Sequence, residues 1–182
     1  AKIEEGENVL VLGAGSGVGS AAVQIAKHFG CTVMATAGNE DKLQNARDLG
    51  ADLTIDHYNE KIHERVREFT EGWGADIVFE HVGEATWSSS MRSLAHGGRL
   101  VTCGATTGAK AGVEIRHLFH KQQTVMGSTM GDALAFTELL DLLEKGFLKP
   151  VLDRTFPMSE AAEAHRYIEE GKQFGKVVLL PD

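Results

Sequence analysis

The chain has 182 residues, 42% of them apolar, which suits one domain with an appendage around a real core. Eighteen basic residues against 26 acidic ones leave a net charge of −8, so the surface repels nucleic acid and anionic membranes, and neither is expected as a partner. No window is apolar for long enough to span a bilayer, no charged-then-apolar leader opens the chain, and two cysteines, Cys31 and Cys103, are too few for a disulfide framework. The expectation is a cytoplasmic protein with two buried thiols, and a chain that opens on Ala rather than Met is expected to be a section of a longer protein.

Strand-like and helix-like stretches alternate from the start. "NVLVLG" (Asn8–Gly13) reads as a short buried strand. Val18, Ala21, Ala22, Ile25, Ala26 and Phe29 then share one face at helical spacing, and Gly30 stops the helix. "TVMATA" (Thr32–Ala37) is a second strand, followed by a helix that Asn39 can cap, whose positive end suits Glu40 and Asp41, and which Gly50 ends. "DLTIDH" is a third strand, "NEKIHERVREFTEG" an amphipathic helix, "ADIVFEHVG" a fourth strand, Glu84–Leu94 a helix and "GRLVTCG" a fifth strand. A helix near Glu114–Lys121 leads to a sixth strand within "TVMGSTMG". Six strands with intervening helices imply an α/β fold, a Rossmann-type doubly wound parallel sheet over residues 1–130. Residues 131–182 break the rhythm with a longer helix, an extended piece at Val151–Phe156, a helix capped by Ser159, and a terminal strand "KVVLLP". They read as an appendage, or as part of a second domain.

Between the first strand and the first helix, glycines stand at positions 13, 15, 17 and 19. A strand turning sharply into a helix presents unpaired N–H groups at the helix's positive end, a place for phosphate. Glycine is needed where the chain turns tightly, where the ligand touches backbone and where the helix packs close to the sheet. The spacing departs from strict G-x-G-x-x-G, which would need glycine where Val18 or Ser20 stands. One alternative is an S-adenosylmethionine-dependent methyltransferase, since "VLVLGAGSG" is similar to that family's first motif. Val11 stands where such enzymes carry an acid, and the second strand ends Thr36-Ala37-Gly38 without a ribose-binding acid. A non-catalytic dinucleotide-binding module is the other. For a dinucleotide, an acid about 20 residues past the turn would hold the ribose 2′-hydroxyl of NAD and repel the 2′-phosphate of NADP. Ala37 and Gly38 leave that space uncharged, and Lys42 and Tyr58 are placed to reach it, so NADP(H) is favoured over NAD(H).

With "GAGSGVGSAAVQIAK", "TAGNEDKL", "LGAD", "GADIVFEHVG", "GGRLVTCGATTG", "GSTMG" and "FGKVVLLP" in order, the chain resembles the nucleotide-binding and C-terminal part of the medium-chain dehydrogenase/reductase superfamily, of the zinc-type alcohol dehydrogenase and quinone-oxidoreductase-like kinds. The resemblance implies the following roles. Backbone at Ser16, Gly17 and Val18 cradles the pyrophosphate, while Gly38, Lys42 and Tyr58 surround the adenosine ribose. His81 and Val82 flank the cofactor. Cys103, Gly104 and Ala105 line the nicotinamide side, and main-chain groups of Cys103, Ser128 and Met130 hold the carboxamide. Gln173 and Lys176 of the tail reach toward the pyrophosphate. It also implies a substrate domain that would precede this chain, with residues 131–182 as its C-terminal return segment, a small-molecule substrate bound by that domain, and a homodimer paired through the sixth strand.

No catalytic residue is assigned within the chain. His117 and His120 form an HxxH without a third ligand, so they read as exposed helix histidines, and zinc is expected only through the missing domain. There is no YxxxK, HExxH, GxSxG or GK[ST] phosphate loop. Glu80 and His81 are strand neighbours, whose side chains point to opposite faces and make a poor acid–base pair.

Overall fold

The computed structural model describes all 182 residues. Eight strands and seven α-helices follow in order: β1 (Asn8–Val11), α1 (Gly17–His28), β2 (Thr32–Ala37), α2 (Glu40–Asp48), β3 (Leu53–Asp56), α3 (Ile62–Phe69), β4 (Ala75–Glu80), α4 (Glu84–Ser93), β5 (Leu94–Thr102), α5 (Ile115–His120), β6 (Thr124–Gly127), α6 (Ala133–Glu144), β7 (Leu152–Pro157), α7 (Ala161–Glu169) and β8 (Lys176–Leu180). The first six strands form one parallel sheet in the order β3-β2-β1-β4-β5-β6. The chain therefore starts in the middle, winds outward to β3, and crosses back to β4. The crevice at that switch is where open α/β sheets bind ligands.

Strand alternation builds the two layers. Val9 and Val11 point to one side, into a cluster with Val23 and Ala26 of α1, Ala46 of α2, and Val33 and Ala35. Leu10 and Leu12 point to the other, against Ile62 and Val66 of α3, Met91 of α4, and Met34, Val78 and Leu100. A one-residue slip of β1 would exchange both sets, so the central strand's register is tightly specified. Caps fall where the sequence places them: the Asn39 side chain accepts from Lys42 N–H at 2.9 Å, and Gly30 and Gly50 both adopt positive φ beyond their helices.

Three expectations change. β5 is longer than "GRLVTCG" because Leu94 already pairs with Ala75; residues 95–98 then bulge before Arg99 pairs with Ile77. Ser159 does not cap α7: it lies in a 3₁₀ turn at Met158–Glu160, and its hydroxyl donates instead to the Asp182 carboxylate at 2.9 Å. Only one thiol is buried, Cys31; Cys103 is exposed because it lies one residue past β5, at the carboxyl end of the sheet.

Residues of the return segment form a separate two-stranded parallel sheet, β7 with β8, with α7 packed on it. The segment is tied to the main sheet by reciprocal amide bonds between Gln24 and the Lys149 backbone at 2.9 and 3.1 Å, and by a 4.5 Å stack of His28 on Phe147. Its apolar side chains are widely exposed: Leu134 by 68%, Phe136 by 60% and Phe147 by 53%. A second apolar surface, a groove of about 390 Å³ lined only by hydrophobic residues, runs between α1 (Val18, Ala22, Ile25) and Ile77, Phe79 and Val101 of the sheet.

His63 is buried on α3, and neither ring nitrogen has a hydrogen-bond partner. Burial lowers its pKa, and Arg92 of α4, Arg67 of α3 and Lys61 at the N-cap of α3 add to the effect while Glu64 opposes it. A histidine held neutral in the fold contributes stability that is complete above its unfolded value of about 6.5 and is lost as pH falls below that. His63→Leu should therefore lose less stability than the wild type between pH of about 7.5 and about 5, read as the shift in urea midpoint.

Candidate functional site

The glycine-rich turn is shaped by close approach. Gly13 has φ +62°, and its N–H donates to the Thr36 hydroxyl at 3.0 Å while Ala14 N–H donates to the Thr36 carbonyl at 2.9 Å. A Cβ on Gly19 would press into the Gly13 carbonyl oxygen and stand 2.9 Å from Ala14 Cα, so only glycine lets α1 lie this close to the end of β1. Ser16 caps α1: its hydroxyl accepts from Gly19 N–H at 2.8 Å and stands 3.2 Å from His81 Nε2. The amides of Gly15, Gly17 and Val18 make no hydrogen bond within the protein, and no acid lies in the first turn of α1. Three free N–H groups at the positive end of a helix are an anion cradle.

The return segment passes over this turn. Gly175 N–H donates to Gly15 O at 2.8 Å and its backbone bridges Ser16. The Lys176 side chain lies across Gly17, where a Cβ would fall 2.7 Å from Lys176 Cδ. An ammonium therefore stands beside the free amides, contributed by the tail.

Two cavities lie along the carboxyl ends of the strands, and the first of them reaches the turn. One, of about 460 Å³, gathers Ser16, Gly38, Lys42, Tyr58 and His81, together with His57 and Thr106, and with Gly171 and Gln173 of the return segment. Its base is bare of acid at the end of β2, where a Cβ on Gly38 would meet His57 Nε2 at 3.1 Å. Tyr58 is 78% exposed and packs edge-on to His57 at 4.5 Å between ring centres. Burial lowers the pKa of Lys42, opposed by the charge of Asp153, and burial likewise lowers that of His57, with Asp56 opposing. The second cavity, about 650 Å³, gathers Cys103, Gly104, Ala105 and Ser128 with Gly83, Trp87 and Thr102. Desolvation pushes the Cys103 thiol up and the Glu80 charge adds to it, so this sulfur is a thiol rather than a thiolate nucleophile.

Gly17 and Val18 stand at the head of α1 and line neither cavity, Val18 facing the apolar groove beside α1, and Val82 packs inward against the α3–α4 side of the core. Met130 stands apart: it lines neither cavity and is 94% exposed, at φ +54°.

Sequence reasoning passed over Glu80 except as a rejected base. Its carboxylate is fully buried and accepts four donors: Val82 N–H at 2.7 Å, Gly83 N–H at 3.1 Å, Thr86 hydroxyl at 2.9 Å and Ser90 hydroxyl at 2.5 Å. It therefore shapes the turn from β4 to α4, in which Gly83 takes φ +96° and His81 is turned toward Ser16. The signal was present: an acid at the end of an apolar strand, with Thr and Ser following on one face of the next helix. Glu80→Ala should cost at least about 3 kcal/mol in denaturant unfolding, because two buried amides and two hydroxyls lose their acceptor.

A nucleotide-binding strand order, with a bare-amide turn at its switch point and cavities along the carboxyl ends of the strands, defines a Rossmann-type domain. The chain belongs to the zinc-binding dehydrogenase family, whose model matches residues 17–145. It is similar to a quinone oxidoreductase of Pseudomonas aeruginosa, 34% identical over 99% of this chain and 58% of that protein. Among solved structures it superposes on an NAD-dependent alcohol dehydrogenase with TM-score 0.92 and 44% identity, over 97% of this chain and 52% of that one. It also superposes on a crotonyl-CoA carboxylase/reductase variant in complex with NADP, with TM-score 0.89 and 29% identity, over 98% of this chain and 50% of that one. The chain thus spans between 50% and 58% of the length of these relatives.

The family's description implies zinc, and the residues present do not fit it. No three His, Cys, Asp or Glu side chains stand together, and His117 and His120 lie exposed on α5 without a third ligand. No helix is long and apolar enough to cross a membrane.

Proposed function

We propose that this chain is the nicotinamide-dinucleotide-binding part of a cytoplasmic oxidoreductase acting on a carbonyl, an alcohol or an activated alkene. The observation that carries the reading is the set of three unpaired amides at Gly15, Gly17 and Val18, with one cavity reaching Gly15 and a second farther along the strand ends. The residues fit the cofactor. The amides and the Lys176 ammonium would hold the diphosphate; Gly38, Lys42 and Tyr58 would surround the adenosine ribose. His81, oriented by Ser16, would close the middle of the groove, and the thiol-side backbone of Cys103, Gly104 and Ala105 with Ser128 would receive the nicotinamide. When bound, the nicotinamide supplies or accepts the hydride. The protein's own part is to fix the ring's position and exclude water on the side of the second cavity. Met130 would join this set only by turning inward.

The uncharged end of β2 and the Lys42 ammonium support NADP(H) over NAD(H). Glu170, on the far wall of the cavity, is paired with Lys172, which offsets its charge toward a phosphate. The exposed apolar side chains of α6 and the return segment support a division at residue 130, with 131–182 packing on a substrate domain that precedes this chain. That domain would bring the substrate and any zinc. The open edge at β6 supports a homodimer paired there.

Titration by nucleotide fluorescence or calorimetry tests the reading: NADPH binds, NADH binds more weakly, and S-adenosylmethionine does not. Failure of both dinucleotides to bind overturns it. Lys42→Ala should weaken NADPH by about tenfold, or ~1.4 kcal/mol, and NADH by much less. Equal losses would remove Lys42 from the phosphate's surroundings.

A further inference from the structure

Residues 171–176 leave α7 and cross the mouth of the glycine-rich turn as a strap before entering β8. Its far end is held by backbone, through Gly175 N–H on Gly15 O at 2.8 Å and the bridge from Gly175 to Ser16. Its near end closes α7 through Gly171 N–H on Ile168 O at 2.9 Å and Lys172 N–H on Tyr167 O at 3.3 Å, and is tied to the main sheet's side of the fold by one side chain, Lys42, whose ammonium donates to the Gly171 carbonyl across 129 positions of sequence. These two ends differ in kind. Lys42 has three N–H donors and makes this one side-chain bond, to a neutral acceptor. The neighbouring acid, Asp153, does not pair with it: its oxygens accept from the Tyr167 hydroxyl at 2.8 Å and Phe174 N–H at 3.2 Å.

Lys42 also lines the cavity that holds Gly38 and Tyr58, and Glu170, Gly171 and Gln173 form part of that cavity's wall. Gln173 Oε1 is buried without a hydrogen-bond partner. A phosphate is a far stronger partner for a partly desolvated ammonium than a peptide carbonyl is, because both members of the bond are then charged. The strap's near end and a phosphate in this cavity therefore draw on one group.

We infer that the contact of Lys42 with Gly171 is a latch on the strap: a nucleotide with a 2′-phosphate opens it by taking the ammonium, and one without that phosphate leaves it closed. The inference rests on the dinucleotide reading above and deepens it. The return segment is then looser in the 2′-phosphorylated complex than in the other, so the identity of the nucleotide is passed to the part of the chain that carries β7, α7 and β8.

Hydrogen exchange by mass spectrometry on the full-length protein, with 2′,5′-ADP or 5′-ADP bound, tests this. The amides of Phe174, Gly175 and Lys176 should exchange several-fold faster with 2′,5′-ADP than with 5′-ADP. Lys42→Met without nucleotide should raise exchange at the same three amides, and with nucleotide should make the two ligands equivalent. Equal exchange in the wild type with both ligands bound, or unchanged exchange in Lys42→Met, overturns the latch. Calorimetry on the same samples separates the two readings. If neither nucleotide binds, the dinucleotide assignment fails and the 2′-phosphate trigger with it, while the nucleotide-free Lys42→Met arm still reports whether Lys42 holds the strap.

Discussion

The approach of α1 to the end of β1 is the constraint on which the rest depends. Gly19 packs against the backbone of Gly13 and Ala14 at a separation that excludes any side chain. That packing drives the head of the helix into the crevice between β2 and β4. It also leaves the amides of Gly15, Gly17 and Val18 facing outward with no acceptor in the protein. A buried amide without a partner is costly, so these groups are tolerated because they face open space where water or an anion can satisfy them. The same geometry that makes a compact sheet–helix unit thus creates the anion cradle.

Around that turn the surroundings are arranged by groups from distant parts of the chain. Thr36, fully buried in β2, accepts from Gly13 N–H through its hydroxyl and from Ala14 N–H through its carbonyl. Glu80 orders the corresponding turn after β4 with four donors, and so sets the side chain of His81 against Ser16. The two crevice walls are therefore built in different ways, one on a hydroxyl and one on a buried carboxylate. A buried carboxylate is favourable only when its lone pairs are met, and here they are.

The chain carries two kinds of surface. The charged faces of the helices are laced with ion pairs such as Lys61–Glu64 at 3.0 Å and Arg166–Glu163 at 2.6 Å, which are exposed and contribute little to stability. Against these stand the exposed apolar side chains of α6 and the groove over β4 and β5. Contiguous apolar surface of this kind belongs to interfaces rather than to open solvent. It agrees with a chain that spans little more than half the length of its relatives.

The elements themselves were legible in the sequence because the rules that set them are local. Alternation put Val9 and Val11 on one side of β1 and Leu10 and Leu12 on the other, Asn39 supplied its cap, and glycines at 30 and 50 ended their helices. The turn at 13–19 was equally readable, since both its cause and its consequence lie within seven residues. What the sequence alone left open were contacts between residues that chain reversal brings together. Cys103 is exposed because β5 ends before it, Met130 lies outside both cavities, and Ser159 turns to Asp182 rather than to its own helix. Lys176 over Gly17 and Lys42 on Gly171 depend on how the return segment crosses the sheet. No spacing or periodicity encodes that crossing. It is decided by which buried surfaces and backbone groups the folded sheet leaves for the tail to satisfy.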